Sequence, residues 1–174
     1  CSRDWSSDVC SSDLNRLGSA QEGKMVYPQF REEIHVAKQK IHPIPHIPIH
    51  VGVDFGLTPA AAIGQRLRGR WLVLHEICAR DMGAARFAEQ LKIELRRIAP
   101  GAEVSLWGDP AGDSRAQTDE KTPYQIFRAA GLSILPAPGN NDFVLRTEAV
   151  NATLNRMVDG EPGFLLSPQC LVLK

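Results

Sequence analysis

The sequence predicts an α/β domain, a mixed β-sheet with helices packed on its faces. Three observations predict it. Three short runs rich in β-branched and apolar residues follow one another across tight turns at 51–56, 60–67 and 71–78. A single strong helical stripe comes next, at Ala84, Phe87, Ala88, Leu91, Leu95 and Ile98. Short apolar runs then alternate with helical segments, so the order is β-β-β-α-β-α-β-α, a meander followed by crossover units.

Each element has a local reason. In the first strand Val51 and Val53 favour the pleat, while Gly52 and Gly56 mark positions of close backbone or ligand approach. Arg68-Gly69 supplies the turn between the second and third strands and makes the meander antiparallel. Asp81 is placed to cap the following helix, and Pro100-Gly101 ends it. A fourth strand at 103–107 runs into Gly108-Asp109-Pro110-Ala111-Gly112. Thr122 and Pro123 give the cap and first turn of a helix that stops before Gly131, and 132–135 forms a fifth strand. After the loop at 136–140, a helix is expected from about Asp142 to Val158 with Phe143, Val150, Leu154 and Met157 on one side. Glu161-Pro162-Gly163 reads as a turn and 164–166 as extended.

The two ends differ in kind from this core. Residues 1–14, CSRDWSSDVCSSDL, resemble translated sequencing-adapter DNA and are set aside from fold reasoning. The chain stops inside an apolar run at 170–173, so it is expected to be an internal piece of a longer protein, truncated at its C-terminus. Residues 15–50 read as a connector and 51–174 as the domain. Within the connector, 23–30 allow one short strand limited by Pro28, and Pro43, Pro45 and Pro48 keep the chain extended. His42, His46 and His50 recur every fourth residue, a metal-binding face on a helix, but the prolines exclude that helix.

Composition excludes several classes. With the first fourteen residues set aside, Cys78 and Cys170 remain, far apart and without ligand spacing, which points to a reducing compartment and no disulfide framework. That run also holds one Arg and three Asp of the chain's 20 basic and 20 acidic residues, which leaves 19 against 17. Such a balance does not by itself announce a nucleic-acid binder. No apolar run is long enough to span a membrane, so a cytoplasmic protein is expected.

Chemistry is concentrated in two acids. Asp54 is the lone carboxylate of the apolar stretch His-Val-Gly-Val-Asp-Phe-Gly-Leu-Thr at 50–58. An unpaired charge there is costly, which points to a cation beside it. Asp109 is a second lone carboxylate, at the end of the fourth strand. The order of elements is the plan of ribonuclease H-like domains, in which the first and fourth strands are neighbours and the two acids converge at one sheet edge. Carboxylate oxygens so placed suit Mg²⁺ or Mn²⁺. Two such ions roughly 3.5–4 Å apart can hydrolyse a phosphodiester. The plainer alternative makes Asp54 a turn or cap residue and Asp109 a turn former before Pro110. Arg66, Arg68 and Arg70 around the hairpin turn, and Arg115, Lys121 and Arg146 beside loops, are candidate phosphate contacts, although a solvated hairpin tip is the commoner role. Glu76, Asp113 and Glu148 are weaker candidates for a supporting part.

A more specific resemblance rests on GVDFGLTPAAAIGQ at 52–65, SLWGDPAGDSR at 105–115, LPAPGNN at 135–141 and GEPGFLLSPQC at 160–170. Together these segments resemble the nuclease domain of tailed-phage terminase large subunits, and GKMVYPQF at 23–30 with its connector resembles the segment that joins that family's ATPase domain to its nuclease. The resemblance implies metal-dependent endonucleolytic cleavage of concatemeric double-stranded DNA, with Asp54 and Asp109 on the family's first two metal-binding carboxylates and two Mg²⁺ or Mn²⁺ ions as cofactors. A third carboxylate is expected downstream of this chain, which would leave the piece inactive alone. No Walker P-loop occurs in the sequence. The implied partners are the small subunit, portal, procapsid and the ATPase domain of the same chain, in the cytoplasm of a bacterial host. Two rivals stand beside it. Asp54, Gly56 and Thr58 also fit the phosphate turn of actin-like and sugar-kinase ATPases, and a resolvase would share the metal nuclease core.

Overall fold

A computed structural model describes residues 25–56, 58–110, 121–137 and 142–173. Its elements in chain order are α1 (Glu32–His35), β1 (Ile49–Asp54), β2 (Ala60–Leu67), β3 (Arg70–Cys78), α2 (Ala84–Ile98), β4 (Val104–Gly108), α3 (Pro123–Ala129), β5 (Ile134–Pro136), α4 (Phe143–Leu154), β6 (Met157–Val158), β7 (Glu161–Pro162) and β8 (Phe164–Leu166). Six strands form one sheet in the order β5-β4-β1-β2-β3-β8, and β6 pairs with β7 in a separate hairpin. The meander β1-β2-β3 is antiparallel, whereas β4 joins β1, β5 joins β4 and β8 joins β3 in parallel. This is the mixed sheet of a ribonuclease H-like domain.

Alternation along the strands divides the sheet into two faces. Val51, Val53, Ala61, Ile63, Ile77 and Leu106 are buried on one of them. There they form a single core with Phe87, Ala88, Leu91 and Leu95 of α2 and with Tyr124 and Phe127 of α3. Phe127 anchors the joint, with its ring 5.1 Å from that of Phe55 and 6.3 Å from that of Phe87. Each fully buried side chain of this size contributes about 1.5–3 kcal/mol relative to exposure. The crossover helix α2 thereby fixes where β4 lies. On the opposite face stand Gly52, Asp54, Ala60, Ala62, Glu76 and Cys78, in register across β1, β2 and β3.

Several boundaries differ from the sequence expectation. Asp81 does not cap α2; it takes a left-handed turn at φ 50°, and Gly83 is the N-cap without a side-chain bond. The last long helix stops at Leu154 rather than Val158, and Met157 enters β6 instead. Its expected apolar side is not buried throughout, because Phe143 and Met157 are 61% and 60% exposed while Leu154 is buried. Thr122 caps α3 as expected, in a full capping box with Gln125. No helix among the described residues is long and apolar enough to cross a membrane.

Residues 25–50 are docked on the sheet rather than free of it. Ala37 donates to the Leu166 carbonyl at 2.8 Å, and the His35 ring lies 3.1 Å from the Leu154 carbonyl. Gln65, buried in β2, holds the proline-rich stretch: its Oε1 accepts from the Ile44 N–H at 2.8 Å, and its Nε2 donates to the carbonyls of Ile44 and Ile47 at 3.0 and 2.8 Å. Gln65→Leu keeps the volume but leaves these buried backbone groups without partners. The expected result is a loss of about 2–3 kcal/mol in urea unfolding and faster proteolysis between residues 38 and 48. Unchanged proteolysis would show that the stretch is held by other contacts.

Candidate metal and nucleic-acid site

Parallel pairing of β1 with β4 runs from Ile49 opposite Val104 to Val53 opposite Gly108. Asp54 and Asp109 are the next residues on their strands, so one register places both carboxylates at the same edge. The Asp109 N–H donates to the Val53 carbonyl at 3.2 Å, which extends the ladder by one step. Its own carbonyl accepts from the buried Tyr124 hydroxyl at 2.8 Å. Gly108 is required beneath this contact, because a Cβ there would lie 2.8 Å from the Phe55 ring and 2.9 Å from the Tyr124 ring. Asp54 is exposed, and its Oδ1 accepts from the Gly56 N–H at 3.2 Å in a local turn.

Both acids line one cleft of about 470 Å³, together with Glu76, Cys78, Trp107 and Arg146. Its floor is made of Gly52, Ala60 and Ala62, small residues that let a ligand come close to the strands. Arg146 enters from the first turn of α4, which Asp142 caps through the N–H groups of Val144 and Leu145. Three carboxylates therefore face one guanidinium among the described lining residues. Glu76 is already engaged, accepting from the N–H groups of Val172 and Leu173 at 2.7 and 2.9 Å.

The donor chemistry suits a hard cation. Asp54 keeps most of its acceptor capacity after its bond to Gly56, and Asp109 shares the cleft. Among the described residues no group of three or more His, Cys, Asp or Glu converges on one point. Two carboxylates fit an ion such as Mg²⁺, which commonly retains several waters and uses only one or two protein carboxylates. His42, His46 and His50 form no such group either, as the prolines imply.

The other sequence candidates scatter. Arg66, Arg68 and Arg70 sit at the β2–β3 turn, at the end of the sheet away from the acids. Six residues of β1 separate the two ends, about 20 Å at the usual strand rise. Arg66 lies over the Trp71 ring at 5.9 Å, and Arg68 is exposed. Arg70 is bound to the Pro162 carbonyl at 2.9 Å and to Glu161 at 3.5 Å, which ties it to the β6–β7 hairpin. Lys121 is exposed just before the α3 cap, and Glu148 is exposed on α4. Arg115 and Asp113 lie outside the described residues. Sequence reasoning missed Tyr124, which no motif distinguishes, and Cys78, which strand alternation from Glu76 places in the cleft.

No known family profile and no curated protein matches this sequence. Solved structures do match. The full-length large terminase of a thermophilic bacteriophage superposes with a TM-score of 0.66 at 18% identity, over 83% of this chain and 34% of that one. The fold is that of a large-terminase nuclease domain. The P22 large terminase nuclease domain matches at TM-score 0.61 and 15% identity, covering 83% of this chain and 73% of its own. The SPP1 terminase nuclease domain, solved with bound Mn, matches at 0.51 and 15%, over 80% and 73%. The chain spans about a third of the length of the thermophilic phage's large terminase.

Two imidazoles of the terminase-like sheet titrate below their ordinary range. Burial lowers His50 most, Arg66 lowers it further, and Glu103 opposes. Burial also lowers His75, with Arg97 and Lys40 in the same sense and Glu94 and Glu76 opposing. The unfolded chain then takes up these protons first, so their contribution to stability is complete above about pH 6.5 and is lost as pH falls through the folded values. Denaturation midpoints should drop on acidification from pH 7 to 5, less steeply in His50→Phe. An equal slope in that variant would exclude His50 as a source.

Proposed function

We propose that this chain is the nuclease part of a phage DNA-packaging terminase large subunit, which cuts concatemeric double-stranded DNA with divalent metal. The observation that supports it most is the pair of carboxylates delivered to one open cleft by adjacent parallel strands. Asp54 and Asp109 hold the metal, either two Mg²⁺ or two Mn²⁺. Bound there, such ions supply Lewis-acid charge at the phosphate and a water activated for attack. The neighbours solved with bound Mn and bound cobalt support a divalent ion in this fold.

The remaining residues position the substrate. Gly52, Ala60 and Ala62 leave room for a phosphodiester to lie against the strands. Arg146 neutralises a phosphate oxygen at the rim, and Lys121 and Arg115 extend the contact along the backbone. Tyr124 keeps Asp109 in place through its carbonyl and leaves the carboxylate for the metal. Arg66 and Arg68 reach DNA only at phosphates about 20 Å from the cut, beyond the β1 strand. Such contacts carry charge rather than sequence, so binding weakens steeply with salt. The nucleotide-phosphate alternative is less well supported, since the Gly56 N–H is spent on Asp54 instead of pointing at a ligand. The ATPase domain, small subunit, portal and procapsid are the partners this reading implies, in the cytoplasm of a bacterial host.

Asp54→Asn or Asp109→Asn should abolish DNA cleavage by the full-length parent and leave its ATP hydrolysis unchanged. In the present chain the same substitutions should weaken Mn²⁺ binding more than about 100-fold, beyond the 10–100-fold effect typical of outer-shell changes. Electron paramagnetic resonance of free Mn²⁺ reads this directly. Cleavage that survives either substitution would remove the site assignment. Chelation should abolish cleavage and added Mn²⁺ restore it.

A further inference from the structure

A second cavity, of about 350 Å³, lies on the same sheet face beside the carboxylate cleft. Trp71, Trp107 and Phe164 line it from the sheet, and Val150 and Thr153 of α4 form its roof. It shares Gly52, Ala62 and Trp107 with the cleft, so the two sites abut. The lining is mostly aromatic and aliphatic, and the Thr153 hydroxyl is already spent on the Val150 carbonyl at 2.7 Å. His50 is the exception. Its ring stands 5.4 Å from both Trp71 and Trp107, at 69° to the first and 29° to the second. Its Nδ1 is buried and meets no hydrogen-bond partner among the described residues. A buried polar atom left without a partner costs roughly 1–3 kcal/mol, which a ligand supplying that partner recovers.

We infer that this cavity binds a neutral, planar nitrogen heterocycle, the chemistry shared by a nucleobase and a free heteroaromatic small molecule. The Trp rings offer flat apolar contact, and stacking of a planar ring on such side chains is favourable whatever its substituents. A charged ligand is disfavoured because the lining offers no counter-charge. Burial keeps His50 neutral near pH 7, so its ring presents one N–H and one bare nitrogen, and a heterocycle that carries both complements either tautomer. Because α4 both roofs the cavity and carries Arg146 into the cleft, occupancy is coupled to the guanidinium beside the acids.

Benzimidazole, which has one N–H and one bare nitrogen, is the probe. Titrated into the full chain without metal or DNA, it should change tryptophan fluorescence saturably, with a dissociation constant on the order of 0.1–1 mM for so small a ligand. Val150→Phe fills the roof and should abolish the saturable change, and His50→Phe should weaken it about tenfold. Retained Mn²⁺ binding and an unchanged melting temperature show that each variant is folded. Displacement of benzimidazole by a single-stranded oligonucleotide identifies a base of a bound strand as the natural occupant, and displacement by free adenine alone identifies a free heterocycle. A linear, unsaturable signal, or equal affinity in both variants, overturns the site. The titration needs no nuclease activity, so it stands or falls separately from the terminase reading.

Discussion

Everything in the site depends on the parallel pairing of β1 with β4. Neither Asp54 nor Asp109 has a partner in sequence, and only the ladder ending at Val53 and Gly108 brings them to one edge. That ladder is maintained from both sides. On the core face α2 buries Phe87, Ala88, Leu91 and Leu95 and so fixes where the chain re-enters the sheet as β4. At the strand end, α3 presents Tyr124 to the Asp109 carbonyl, and Gly108 is small enough to let Tyr124 and Phe55 close over it. Crowding of this kind leaves a well-packed site little freedom to adjust, so the acids inherit the precision of the core.

The sheet was legible because its strands alternate and its turns are short, and α2 because its apolar stripe holds one period. The two acids were legible for the same reason that they are chemically conspicuous: each is a lone carboxylate at the end of an apolar strand. Less was legible where a residue's role depends on contacts distant in sequence. Gln65 looked like an ordinary polar residue in β2, yet it is buried and binds residues about twenty positions earlier. The hairpin arginines were judged by their loop, whereas antiparallel geometry sends that loop to the far end of the sheet. Asp81 carried the right chemistry for a cap but sits three residues before α2, in a left-handed turn.

The behaviour of α4 follows from the face it covers. A helix packed on a flat core needs a wide apolar stripe. This one lies instead over the aromatic half of the outer sheet face, touching it through Ala149, Val150 and Thr153, small or medium residues that leave space beneath. Its first turn carries Phe143, Val144 and Leu145 exposed, and Arg146 turned to the cleft. The period of its sequence therefore predicted a buried side that the fold does not use.

One sheet face thus carries two surfaces of opposite character. Toward the C-terminal end of β1 it is small and acidic, with Gly52, Ala60 and Ala62 under Asp54 and Asp109. Toward the N-terminal end it is aromatic, with His50 between Trp71 and Trp107. The division follows from the physics of the ligand each half can tolerate. A hydrated cation and a phosphate need open, wet surroundings and hard oxygen donors, whereas a planar ring gains most where water is excluded. Placing α4 over the aromatic half alone satisfies both demands, and Trp107, which borders both, is where binding in one half is felt in the other.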